Sequence, residues 1–445
     1  MFSTVDGFRY NGINVANGYI ATFSSYTQFF TSIPTSDGSN LYLGGAINIT
    51  DSNIVWVKIN NSHSARITVE KELGTINYDS GLLCDVDLGG NVYIVGVSNV
   101  GNGQTAGEIA KFSSTGTLDW EKQLVPGPGI LYADYTDVDV ESGGANIYAS
   151  GTMGHLYSGN EFGLSTLVKY NSSGTILNQS VCDYFTDGIH LYTNQIDDLT
   201  VDSSKNLYLS GGIIQSLDGN VTYKHFGTVE KRNSSGTVQW ACNLYDSTNY
   251  GNIEFKQSVV DSSGNVFVFG SSSAIGSTGS IIAKIYSNGT LSWQKTINHG
   301  SILSMTIDDS GNLYLGGRNS PDLANAWYGS LDSNTGNINW QNYIYDTSGN
   351  LFLRDINYAN NFLYFGGTLV ASGNNQGLAM KLPSDGSQTG QHGQFLIYSG
   401  NLTISTTTLT TDTLNLGNTT TSFTANTANL VVENGDSVRR IIPFL

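Results

Sequence analysis

Short runs of alternating apolar and polar residues, each closing on an acid and a Ser/Gly/Asn turn, recur along most of the chain. Leu199-Thr200-Val201-Asp202 and Ser258-Val259-Val260-Asp261 are two instances. Each leads through its turn into a second apolar run, Leu207-Tyr208-Leu209-Ser210-Gly211-Gly212 in one and Val266-Phe267-Val268-Phe269-Gly270 in the other. A period of two marks half-buried strands, and the turn clusters between them mark tight reversals. The fullest copy is Asp308-Asp309-Ser310-Gly311-Asn312-Leu313-Tyr314-Leu315-Gly316-Gly317. Related copies begin at Asn40, Asn91, Asn146, Asn206, Asn265 and Asn361. Their separations run from 47 residues (Asn265 to Asn312) to 60 (Asn146 to Asn206), a spacing that predicts a propeller-like array.

Two further strands complete each unit. The third ends in Lys and an apolar residue, as in Lys58-Ile59, Lys111-Phe112, Lys169-Tyr170, Lys284-Ile285 and Lys381-Leu382. The fourth follows a turn and carries a large aromatic at a fixed place: Trp120, Trp240, Trp293 and Trp340, with Asn178 standing there in the third unit. Recurrence in consecutive units predicts that these indoles pack between neighbouring blades. Between strands two and three lie loops of variable length, which cost the fold little and are where recognition residues sit. The loops Gly154 to Ser165 and Ile213 to Phe226 carry Tyr157, Phe162, Tyr223 and Phe226, aromatics suited to a sugar face or a protein contact.

The ends of the chain differ from the array. Ile20-Ala21-Thr22-Phe23-Ser24-Ser25 echoes Ile109-Ala110-Lys111-Phe112-Ser113-Ser114, so residues 1–30 are expected to supply a strand that closes the ring. Residues 31–385 form the seven-bladed β-propeller on this reading. Residues 386–445 form an extended Thr/Ser-rich β tail for attachment or oligomerisation. Leu402, Leu409, Leu416, Phe423 and Leu430 recur there every seven residues. A coiled coil is not expected, since Thr-rich sequence is a poor helix former and Ser405, Asp412 and Thr419 occupy the second apolar position. Short extended pieces broken by turns fit better, ordered against another chain or a second copy.

Composition changes this picture in two ways. Charged residues make up only 12% of the chain, about half the usual share, while Gly (53) and Tyr (25) are abundant, as suits an all-β chain with many turns. The net charge of −17 lacks the Lys/Arg footprint that a nucleic-acid backbone needs, so nucleic acid is an unexpected partner. No apolar run approaches the roughly 18 residues that span a bilayer, and Met1-Phe2-Ser3-Thr4-Val5-Asp6-Gly7 lacks the parts of a signal peptide. Cys84, Cys182 and Cys242 have no CxxC spacing and read as buried thiols.

The Asp-Ser-Ser-Gly-Asn-Val-Phe-Val-Phe-Gly unit at 261–270, with the later Lys-Ile and Gly-Thr-Leu-Ser-Trp elements, resembles the bacterial repeat family that builds seven-bladed β-propellers. The junction Lys381-Leu382-Pro383-Ser384-Asp385-Gly386-Ser387-Gln388-Thr389-Gly390, with the heptads beyond it, resembles tail and fibre structural proteins of tailed phages that infect marine cyanobacteria. The second resemblance implies a virion component assembled in the host cytoplasm, bound to other virion proteins through its tail. Contact with a host-surface glycan or protein is expected through the long loops of the third and fourth units, and self-association through the tail.

Chemistry is sparse. The acidic turns at Asp261 and Asp308 lack the alternating acids and closing Glu of an EF-hand loop, and an Asp four residues before a strand ordinarily caps its own turn. The six His are scattered without metal spacing, and Gly101-Asn102-Gly103-Gln104-Thr105-Ala106-Gly107 misses the dinucleotide fingerprint. Asp85/Asp87 and Asp137/Asp139 are pairs that acid/base work on a glycan would use, although acids recurring at strand ends are more often structural. No catalytic, metal or cofactor set is therefore assigned. The expected function is a non-enzymatic virion structural protein. The alternative is an extracellular bacterial propeller enzyme or binding protein acting on polysaccharide.

Overall fold

Each repeat folds as an antiparallel sheet of four strands, and the seven sheets stand face to face in a circle. The computed structural model describes residues 2–434. Outside the description are 6–7, 16–17, 26, 49–51, 62–65, 75–78, 102–103, 125–129, 158–159, 183–191, 217–222, 246–251, 273–279, 299, 320–324, 372, 401–402, 407–409, 413–417, 421–424 and 427–430. Every regular element among the described residues is a strand. From the axis outward, blade 1 uses Thr27–Pro34, Asn40–Asn48, Ser52–Asn60 and Arg66–Gly74. Blade 4 uses Tyr192–Val201, Leu207–Ser216, Tyr223–Arg232 and Val238–Tyr245. Blades 2, 3, 5 and 6 follow the same order. Each innermost strand contacts the next around the axis, and that of blade 7, Gly349–Ala359, meets that of blade 1. The chain is an all-β seven-bladed β-propeller.

The two ends of the array meet in one sheet. Blade 7 takes three strands from its own repeat, and its fourth is Gly18–Ser25, with Ile20 opposite Met380 and Tyr19 opposite Lys381. The expected closing strand is therefore in place. Tyr19, Ile20, Ala21 and Phe23 are all buried on it. The large hydrophobic clusters among the described residues lie between the blades, one at each of the seven junctions, so the core is built by neighbouring sheets together. The thinnest, between blades 3 and 4, is built from Tyr148, Leu167, Ile196, Leu199, Leu207 and Leu209.

The indoles act across the junctions, as expected, and the geometry shows how. Trp120, Trp240 and Trp293 each donate the ring N–H to a carbonyl in the next blade's third-to-fourth turn: Ser172 at 3.0 Å, Ser287 at 2.9 Å and Ser333 at 3.2 Å. Each ring lies on that turn's glycine, Gly174, Gly289 or Gly336, and Trp340 lies likewise on Gly386. All four glycines have positive φ, and a Cβ there would meet an indole atom at 2.5–2.9 Å. A side chain is thus excluded both by backbone conformation and by space. The rings are half-buried, their outer edges at the rim.

Beyond Pro383 the chain turns back along the ring, and its described strands pair one after another with the outer strands of six blades. Phe395–Ser399 pairs with blade 6, Thr403–Thr406 with blade 5, Thr410–Asp412 with blade 4, Asn418–Thr420 with blade 3, Ala425–Asn426 with blade 2 and Val431–Asn434 with blade 1. The register advances by seven residues per blade: Ile397 opposite Ile344, Ile404 opposite Ile297, Thr411 opposite Leu244, Asn418 opposite Cys182, Ala425 opposite Leu124, Val432 opposite Leu73. Seven extended residues reach at most about 25 Å, so the period is the arc from one blade's edge to the next. The expectation of extended pieces broken by turns agrees with these strands. Each described piece takes as its partner the otherwise unpaired edge of an outer strand of the same chain. Leu402, Leu409, Leu416, Phe423 and Leu430 lie outside the described residues. Blade 7 is edged instead by Phe8–Val15 and Phe2–Val5.

Two results are expected from these contacts. A chain beginning at Gly18 keeps one cooperative thermal transition, whereas a chain beginning at Thr27 loses it, because four buried side chains leave with the closing strand; equal melts for the two would exclude closure by 18–25. Trp293→Ala costs about 2–4 kcal/mol in a denaturant melt, towards the lower part of the usual range for aromatic truncation because the ring is half exposed.

Candidate functional site

The innermost strand is the free edge of each sheet, and the backbone groups on its axial side have no further strand to pair with. Such groups need partners. They find them in side chains of the preceding blade. Asp355 of blade 7 accepts the Ser32 N–H of blade 1 at 2.6 Å. Asp85 of blade 2 accepts Val140 N–H at 2.7 Å. Asp137 and Asp139 of blade 3 accept Leu199 and Val201 N–H, both at 2.7 Å. Asp198 of blade 4 accepts Ser258 N–H at 2.9 Å, and Gln257 of blade 5 accepts Met305 N–H at 2.7 Å. Ser304 Oγ of blade 6 accepts Ile356 N–H at 3.1 Å and donates to Asp355 at 2.7 Å. Between blades 1 and 2 the contact is Thr31 Oγ1 to Cys84 Sγ, 3.2 Å. At six of the seven junctions, then, a side chain of one blade accepts a backbone N–H of the next.

A register shift places these side chains. In blades 1, 2, 4, 5, 6 and 7 the innermost strand carries a bulge, and Thr31, Leu83, Asp198, Gln257, Ser304 and Asp355 resume the pairing after it. The bulge bends the strand and re-aims one residue at the neighbouring blade. Leu83 cannot accept a hydrogen bond, and Asp85, two residues on and on the same face, makes the tie instead.

The acid pairs singled out in the sequence are thus parted or committed. Asp87 turns from the axis to its own turn, accepting Asn91 N–H at 3.0 Å and Asn91 Nδ2 at 2.8 Å, while Asp85 crosses to blade 3. Asp137 and Asp139 share a face, and both cross to blade 4. Burial raises all of the axial carboxyls: Asp85 to about 6 and Asp198 to about 7, with Asp137 and Asp139 also well above the usual range. Neighbouring carboxylates raise Asp137 and Asp139 further, and Asp139 hydrogen-bonds Asp85. The turn acids do what capping predicts. Asp261 holds Asn265 N and Nδ2 at 2.9 and 2.8 Å, and Asp308 holds those of Asn312, both at 2.8 Å. Cys84 and Cys242 are buried, and desolvation lifts their thiols to about 12 and about 11.

The recognition residues are placed unequally. The segments read as loops are largely strand: Asn146–Tyr157 pairs with Asn160–Asn171 out to Tyr157 opposite Asn160, and Leu207–Ser216 pairs with Tyr223–Arg232 out to Ser216 opposite Tyr223. Tyr157, Phe162 and Tyr223 thus lie on the outer ends of two long hairpins. Phe226 does not belong with them. It is fully buried beside Ile213, its ring 5.4 Å from that of Tyr245, because strand alternation turns it inward.

One cluster at the base of the blade 4 hairpin gave no sequence signal, since its members come from strands of two blades. Lys256 Nζ lies 2.7 Å from Glu254 and 3.4 Å from Asp197, and Gln195 donates to Asp197 at 2.9 Å. Burial raises Asp197 to about 7, Lys256 opposing and Glu254 adding to the rise. Burial also lowers His225, against the pull of Glu254. Such an arrangement can hold a proton near neutrality.

No family model and no curated protein matches this chain. Among solved structures, it is similar to the Dos1 propeller (10% identity over 80% of this chain and 78% of that one, TM-score 0.43). It is also similar to the β-propeller domain of the Trilobed protease from Pyrococcus furiosus (9%, 80% and 95%, TM-score 0.40) and to a protein of unknown function from Bacteroides caccae (14%, 69% and 93%, TM-score 0.39).

The raised carboxyls set a pH dependence. The folded chain holds these protons more tightly than the unfolded chain, whose carboxyls titrate near 3.8. The stability they contribute is complete below about pH 4 and is lost as pH rises through about 6 to 7. Asp37, lowered to about 2 by hydrogen bonds from Thr35 and Ser39, acts oppositely and only in stronger acid. Melting temperature measured against pH should therefore decline less steeply for Asp198→Asn than for the parent between about pH 4 and 7; parallel curves would show that Asp198 does not titrate there.

Proposed function

We propose that this chain is a non-enzymatic structural component of a tailed-phage particle, its propeller a rigid disc for docking or display. The observation that carries the reading is the use made of the axial acids: Asp85, Asp137, Asp139, Asp198 and Asp355 hold blades together, the work of a scaffold. The phage assignment itself rests on the junction and heptads at 381–430. On this reading the C-terminal segment meets other virion proteins, or a second copy, along the rim. A host-surface glycan or protein would be met by Tyr157, Phe162 and Tyr223, on the two long hairpins.

A polysaccharide-acting enzyme is the second reading, favoured by Asp197, Glu254, Lys256 and His225, where a carboxyl raised to about 7 sits beside a second carboxyl as acid/base work requires. Mass spectrometry of purified particles, set against cytosolic and secreted fractions, separates the two. The chain is expected in particles, and Tyr157→Ala with Tyr223→Ala should reduce adsorption to host cells. Recovery only from the secreted fraction, with glycan cleavage abolished by Asp197→Asn, would replace the first reading with the second.

A further inference from the structure

Four of the seven junctions seat an indole on the neighbouring blade's turn glycine, and at the junction of blades 3 and 4 the seat is present without the ring. The turn Asn233-Ser234-Ser235-Gly236-Thr237 of blade 4 repeats the turn Asn171-Ser172-Ser173-Gly174-Thr175 of blade 3, on which Trp120 lies. Gly236 keeps the positive φ (84°), and the turn keeps its internal bonds, Gly236 N–H to Asn233 O at 2.8 Å and Asn233 N–H to Thr237 O at 2.9 Å. In place of indole stands Asn178. A Cβ at Gly236 would meet nothing nearer than Asn178 Nδ2 at 3.7 Å, where the other four glycines would strike a ring. A cavity of about 160 Å³ is left, lined by Tyr148, Leu167, Lys169, Asn178, Leu207 and Gly236.

The rest of the seat is also there. Lys169 Nζ lies 5.1 Å over the Tyr148 ring, as Lys231 lies over Tyr208 and Lys284 over Phe267 in blades that carry the indole. Leu167 and Leu207 form a buried apolar floor. Ser234 holds the turn position whose carbonyl, in Ser172, Ser287 and Ser333, accepts an indole N–H. A second departure falls at the same junction. Trp120 stacks on Tyr170, 6.2 Å between centroids, and the residue of blade 4 in Tyr170's register is Arg232, buried, paired with Glu230 and 3.4 Å from Ser180 Oγ. Arg232 thus reaches the lining of the slot through Ser180.

We propose that this slot is a binding site for a planar aromatic ring with an N–H donor, an indole above all, supplied by another molecule. The ring lies on Gly236 between Leu167 and Leu207, and its N–H points at Ser234 O. The chemistry is shared by a free indole and by a tryptophan side chain of a partner peptide. The site stands apart from the virion reading, since it depends only on what the other junctions hold.

The test uses the full chain and three probes, indole, N-acetyl-tryptophanamide and 1-methylindole, titrated by calorimetry and by methyl spectra of leucine-labelled protein. Indole is expected to bind at millimolar concentration or tighter and to shift the Leu167 and Leu207 methyl signals, with 1-methylindole weaker by about tenfold for want of the donor. Binding of the amide as well assigns the slot to a peptide tryptophan; binding of indole alone assigns it to a small molecule. Asn178→Trp fills the slot from within and should abolish binding while raising the melting temperature, and Asn178→Phe serves the same purpose if the first variant does not fold. The methyl shifts need no variant. Failure of both indole and the amide to move those signals, or unchanged binding in a folded slot-filled variant, would overturn the proposal.

Discussion

A sheet that stands on edge at the axis of a ring has one strand whose backbone groups no further strand can pair. In this chain the difficulty is met by side chains of the preceding blade, and the rest of the structure depends on that contact. Asp355, Asp85, Asp137, Asp139, Asp198, Gln257 and Ser304 accept N–H groups of the following blade. Each bond fixes the angle and height of one sheet against the next. The apolar clusters between blades then pack at a set separation, and the outer indoles fall on their glycines. Replacing such an acceptor by an apolar residue would leave a buried N–H unpaired, which costs more than the bond itself contributes.

The carboxyls are expensive acceptors. Their burial near one another favours the protonated form, so the ring is held by acids that are neutral over part of the ordinary pH range. A neutral carboxyl still accepts an N–H, and it can also donate, as the contact between Asp139 and Asp85 requires. Gln257 and Ser304 do similar work with no charge at all, which shows that the geometry of acceptance, and not charge, is what each junction needs.

Much of this was legible along the chain, and the remainder was not for definite reasons. Repeat number, strand order and the closing role of residues 18–25 follow from local period and turn chemistry, which do not depend on distant contacts. The fate of Phe226 needed the register of its hairpin, since one residue of slip separates a displayed ring from a buried one. The heptads beyond residue 400 have a true period whose cause is not in the segment but in the spacing of blade edges it follows. The axial acids looked like acid/base pairs because two acids two residues apart share a face in either role. What decides between the roles is the blade across the gap, about 60 residues away for Asp137 and Leu199. Asn178, by contrast, was visible as a break in the series, although only the empty seat on Gly236 gives the break a meaning.

Amide hydrogen exchange on the intact chain tests the ring of axial ties most directly. If the ties join the blades into one cooperative unit, the amides of Ser32, Val140, Leu199, Val201, Ser258 and Met305 will exchange with a common free energy equal to that of global unfolding, and the rim segment from Thr403 to Asn434 will open well below it. Axial amides that exchange at different free energies from blade to blade, or as fast as those of the rim, would contradict the account.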